Sequence, residues 1–164
     1  MRRILLGIFI VFNLVVPAFA HEDMDIAVTK AWVANLPPTQ TTTAAYMTIE
    51  NKGKDKEELL SVTTPVAAAA EIHQMSEGNG MMHMAMLKSL TIPAKGKVTL
   101  SPGGYHLMLV NLAKPLKKGD VVPLYLKFDC GCTILVKANV QDGPDQSSSS
   151  SSMTGMSGMS GMKM

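Results

Sequence analysis

The chain has 164 residues, with 15 Lys and Arg against 13 Asp and Glu, 46% hydrophobic residues and two cysteines. No basic stripe of the kind that tracks nucleic-acid phosphates is present, and the length suits one domain with its own core better than two. The outlying count is methionine, at 14.

Residues 1–20 read as a cleavable signal peptide. Arg2 and Arg3 form a positive start, an apolar run follows from Ile4 to Val16, and Ala18-Phe19-Ala20 gives the small-x-small pattern of a cleavage site. The run is short for a bilayer span and no longer one follows, so the mature protein is expected to have no membrane span. No cysteine follows the cleavage position, which argues against a lipid-bearing N-terminus. Loss of Arg2 and Arg3 lowers the basic side chains from 15 to 13, equal to the 13 acidic ones. Export is expected, with a periplasmic location.

Residues 21–142 read as one all-β domain. Asp25–Ala34 is rich in β-branched and aromatic residues and ends at Asn35-Leu36-Pro37-Pro38. Ala44–Glu50, Leu59–Thr64, Ala69–Met75, Met82–Ile92, Lys97–Ser101, Tyr105–Leu112, Val121–Phe128 and Thr133–Val140 follow at similar intervals, with Gly, Pro, Asn or Asp at most joins. Short strands at regular spacing indicate a sandwich or barrel. Ala67–Ala70 is the one stretch able to start a helix, but it has no cap and follows Pro65.

Residues 143–164 change character. Six serines, Ser147–Ser152, lead into a Gly/Ser segment carrying Met153, Met156, Met159, Met162 and Met164. With so few bulky residues to offset its ordering entropy, this tail is expected to be disordered. The methionine repeat reads either as low-complexity drift or as a flexible string of thioethers for a soft metal.

Four residues of the domain carry the clearest chemistry. Ten residues separate His73 from Met84, twenty-one separate Met84 from His106, and one separates His106 from Met108. In Tyr105-His106-Leu107-Met108-Leu109 the apolar residues suit a core, so strand alternation turns His106 and Met108 together to the other face. His73 and Met75 pair in the same way, and Met82, Met84 and Met86 line one side of the next strand. Uncharged imidazoles and thioethers favour Cu(I) over zinc, magnesium or calcium. Thioethers also escape the disulfide formation that claims thiols outside the cytoplasm. His73, Met84, His106 and Met108 are therefore the expected copper ligands, with Met75 as an auxiliary.

The spaced pattern of these four residues resembles the signature of the PCu(A)C family of periplasmic copper chaperones. The stretches Ala70–Met75, Ser101–Leu109 and Leu112–Asp120 are similar to that family's characteristic segments, and the resemblance covers about residues 25–140. It implies a cupredoxin-like β-sandwich binding Cu(I) through His73, Met84, His106 and Met108 at an exposed site. It also implies delivery toward cytochrome c oxidase assembly, with an oxidase subunit or a Sco-type thiol protein as partner. Some members carry a His/Met-rich C-terminal extension, whereas the tail here has Met but no His.

Two further features invite metal readings. Cys130-Gly131-Cys132 reads either as a soft-metal thiol pair or as a local disulfide or buried pair of thiols. His21, first after the cleavage position, offers an amine and an imidazole for copper, or sits there incidentally. No G-x-S-x-G, H-E-x-x-H or phosphate-binding glycine loop appears, so the chain is not expected to be an enzyme. The function expected is transfer of copper by ligand exchange; sequestration as a buffer or resistance protein is the alternative.

Overall fold

A computed structural model describes residues 25–78 and 80–143. The expected signal peptide, His21 and the tail methionines Met153, Met156, Met159, Met162 and Met164 lie outside them. The described residues are all-β, with ten strands: β1 (Ile26–Ala34), β2 (Thr43–Asn51), β3 (Glu57–Thr63), β4 (Ala67–Gly78), β5 (Met81–Leu87), β6 (Leu90–Ile92), β7 (Gly96–Leu100), β8 (Tyr105–Leu112), β9 (Val121–Phe128) and β10 (Thr133–Gln141). Their order is β5-β4-β8-β7-β2-β1-β10-β9-β3-β6, and a further β3–β4 pairing closes eight strands into a barrel.

The core follows from alternation along the strands. Met47 and Ile49 of β2, Leu107 and Leu109 of β8, Leu124, Leu126 and Phe128 of β9, and Ala138 and Val140 of β10 are buried, and the residues between them point away. Burial of these apolar side chains is the main driving force, at about 1.5–3 kcal/mol for each large one. Asn51 is one of three buried polar residues among those described, with Thr43 and His106. Its amide donates to the Asp55 carbonyl and its carbonyl accepts from Gly53 N–H, so the group is buried with its partners in place.

One sequence expectation needs correction, and one open stretch resolves as strand. Ala67–Ala70 is not the start of a helix but the first third of β4, with Ala70 opposite Val62 of β3 and Leu109 of β8. Pairing with β8 along the stretch, and with β3 at Ala70, overrides the helix preference of alanine. The single expected strand Met82–Ile92 is two strands. β5 pairs with β4, whereas β6 crosses to β3 and buries Leu90 and Ile92. The chain changes partner at Lys88-Ser89, where the Ser89 hydroxyl donates to Glu58.

Candidate metal centre

β4 runs between β8 and β5 and positions the site. His73 lies directly opposite His106 on β8 and Met86 on β5. One pair along in each direction, Met75 faces Met84 and Glu71 faces Met108. Opposed residues share a face of a sheet, with Cβ atoms about 4.5–5.5 Å apart. Glu71, His73, Met75, Met82, Met84, Met86, His106 and Met108 therefore form one outward surface. The intervening Ile72, Leu107 and Leu109 point into the core.

The two imidazoles are the anchored part. Their rings stack with centroids 5.7 Å apart and planes 29° from parallel. His106 is only 6% exposed, and its Nδ1 lies 3.2 Å from the Gly104 carbonyl oxygen. A carbonyl only accepts, so Nδ1–H is the donor and the lone pair is left on Nε2. His73 is held differently: its Nε2 lies 2.9 Å from Glu71 Oε2, while its buried Nδ1 has no hydrogen-bond partner. With the carboxylate accepting from Nε2–H, the His73 lone pair sits on that unpartnered Nδ1. An unsatisfied buried acceptor costs about 1–3 kcal/mol, and a soft cation is a group that would satisfy it.

The thioethers differ in exposure. Met84 and Met86 are 51% and 65% exposed, whereas Met75 and Met108 are half-buried. β5 is the outermost strand at this end of the sheet, so its methionines face solvent. Of the expected set, His73, His106 and Met108 lie on adjacent cross-strand pairs. Met84 is diagonal to His73, one pair further than Met86, a span of about 7–8 Å that a long side chain can bridge. Among the described residues no three His, Cys, Asp or Glu side chains gather to hold a metal ion. The donors offered are two neutral nitrogens and several neutral sulfurs, which is chemistry for a soft monovalent ion.

Sequence reasoning missed one member of this surface and the partner of another. Glu71 is two residues before His73, and the same alternation that grouped His73 with Met75 would have found it. Met86 was placed on the correct side of its strand without its position opposite His73. As the carboxylate that orients His73, Glu71 should matter although it is not itself an expected ligand. Glu71→Ala is expected to weaken Cu(I) binding about tenfold by competition titration.

The remaining candidates stand apart. His83 faces the opposite side of β5, paired with Ser76. Cys130 and Cys132 are joined by a disulfide in the turn between β9 and β10, the second of the two readings of that pair, and neither offers a thiolate in this state.

Comparison with known proteins sets this geometry in a family. Residues 26–140 match the family described as "Putative lipoprotein LpqE-like". The chain is 33% identical over 118 residues to the "Putative lipoprotein Lxx21020" of Leifsonia xyli subsp. xyli (strain CTCB07), covering 71% of this chain and 70% of that protein. Among solved structures, the Cu(I) form of DR1885 from Deinococcus radiodurans is 38% identical, with a TM-score of 0.58, over 76% of this chain and 82% of that one. The copper-bound PCuAC domain of PmoF2 aligns with a TM-score of 0.62 over 73% of this chain and 94% of that one; at 21% identity the likeness is one of fold. The family match runs from the first residue of β1 to the penultimate residue of β10, and the chain therefore belongs to the LpqE-like family, with the fold of PCuAC domains.

Proposed function

We propose that the protein is an exported Cu(I) chaperone, periplasmic in location, which holds the ion on the open face of β4, β5 and β8 and surrenders it to a second protein. The observation that carries this reading is the cross-strand pair His73–His106, rings 5.7 Å apart, with methionines on the same face and an apolar core behind it. The Deinococcus radiodurans relative solved with Cu(I) supports the choice of metal.

The ion is cargo, and the four proposed ligands have separate jobs. His106, buried and fixed through Gly104, sets the nitrogen position. His73 completes a nitrogen pair under the control of Glu71. Met108, half-buried beside them, adds a sulfur from the same strand as His106. Met84, exposed on the outer strand, is the ligand best placed to leave first. An incoming donor then takes its position, and the remaining bonds exchange in turn. Neutral ligands favour such release, because no thiolate must be reprotonated as the ion departs.

Cytochrome c oxidase assembly is the proposed setting, with an oxidase copper domain or a Sco-type thiol protein as acceptor. The test is to mix the Cu(I)-loaded protein with the metal-free copper domain of an oxidase subunit and separate the two. Copper found on the acceptor within minutes is the expected result. Copper retained by the chain at equal concentrations would favour sequestration instead.

A further inference from the structure

The Cys130–Cys132 disulfide is unused by the copper face, and its placement is unusual for a structural bridge. It joins residues two apart, so it closes about the shortest loop a disulfide can, and the constraint such a bond places on the unfolded chain is least for short loops. The turn is also held without it. Phe128 N–H donates to the Cys132 carbonyl and Gly131 N–H to the Phe128 carbonyl, while Glu58 and Asp129 exchange two bonds, Asp129 N–H to the Glu58 carbonyl and Glu58 N–H to Asp129 Oδ1. A bond that adds little to a turn already pinned four ways calls for a chemical reason.

The two sulfurs are not equivalent. Cys130 is exposed at the tip, whereas Cys132 is half-buried and packs against the core. Between them Gly131 has φ +78°, and a Cβ built on it would meet no atom within 4 Å, so the space over the turn is open to an approaching chain. One accessible sulfur beside one sheltered sulfur is the arrangement in which an outside thiolate attacks the first and the second is the leaving group.

From this geometry we infer that the β9–β10 turn is a thiol–disulfide exchange site for a protein partner carrying two neighbouring thiols. The partner's thiolate attacks Cys130 Sγ, the Cys130–Cys132 bond breaks, and its electron pair passes to Cys132 Sγ. The partner's second thiolate then attacks its own sulfur in the mixed disulfide and releases Cys130. The partner leaves with a disulfide, and its two electrons and two thiol protons end on Cys130 and Cys132. A single-thiol partner is disfavoured, because the released Cys132 stays beside the mixed disulfide and reverses the first step.

The test uses the full chain in two single variants, each incubated with a peptide containing an oxidised Cys-x-x-Cys pair, with mixed disulfide read by mass. Cys132→Ser, which leaves the exposed thiol, is expected to be captured at least about tenfold faster than Cys130→Ser. Equal capture, or faster capture by Cys130→Ser, would overturn the assignment. The unmodified protein supplies a check independent of how the variants fold. Dithiothreitol under native conditions should reduce it at a rate within about tenfold of oxidised glutathione, and the melting temperature should fall by less than about 5 °C. Reduction only on unfolding, or a larger fall, would mark the bond as a structural staple and sink the inference.

Discussion

Replacing His106 with Ala is expected to lower Cu(I) affinity about a hundredfold while leaving a folded barrel. The size follows from taking the binding free energy of four-ligand structural zinc sites, about 10–16 kcal/mol, as the scale and sharing it among four donors. A quarter of that is about 3 kcal/mol, or two orders of magnitude in affinity. His106 should show the full loss because it is the most rigid of the proposed ligands. It is 6% exposed, with its ring fixed by Gly104, so no neighbour can move in to replace it. Exposed Met84 is the contrasting case. Met86, on the same face and directly opposite His73, offers a second thioether, and Met84→Ala should cost less. A competition titration with a Cu(I) chelator reads both, and adding Met108→Ala to His106→Ala should deepen the loss. Unchanged affinity in the double variant would remove β8 from the site.

The second large effect lies one residue along the same strand and has the opposite character. Leu107→Ala is expected to destabilise the fold by about 2–5 kcal/mol, because Leu107 is fully buried and its loss leaves a cavity as well as lost apolar contact. For a domain of this size that lowers the melting temperature by roughly 10 °C or more. Below the new transition the protein should still bind one equivalent of Cu(I), since His106 and Met108 project to the other face. Three consecutive residues would then divide between affinity, stability and affinity again. A variant that kept its melting temperature but lost copper would show that the strand alternation had been assigned the wrong way round.

That alternation is legible in the sequence alone. Tyr105–Leu109 places large apolar residues at every second position, and a half-buried strand leaves no other face for His106 and Met108. The turn residues likewise marked most strand ends. What resisted reading was pairing. Ala67 and Ala68, ahead of the expected strand start at Ala69, have no β preference of their own and become strand because β4 pairs with β8 from Ala67 onward. Met82–Ile92 carries no break in its pattern, yet Leu90 and Ile92 are needed under β3. The position of Met86 opposite His73 was available in principle. Asn79-Gly80 is the pair favoured in two-residue hairpin loops, and placing Gly78 opposite Met81 brings His73 opposite Met86 and Met75 opposite Met84 by counting alone. Glu71 needed no pairing at all, only the same two-residue step that linked His73 to Met75.

The electrostatics of the face also rest on structure. Glu71 contributes one carboxylate beside the imidazole pair, with its oxygen 2.9 Å from His73 Nε2. Bonded to Nε2, it leaves the buried Nδ1 without a partner and free to serve the proposed ion.

The most direct test of the proposed site is a titration of the full chain with Cu(I), followed by NMR of histidine ring nitrogens and methionine methyl groups. Shifts at His73, His106, Met84 and Met108 that saturate together at one equivalent are the predicted result. Saturation at one equivalent with those four unchanged, and the shifts confined to His83 or to the methionines beyond residue 150, would contradict it.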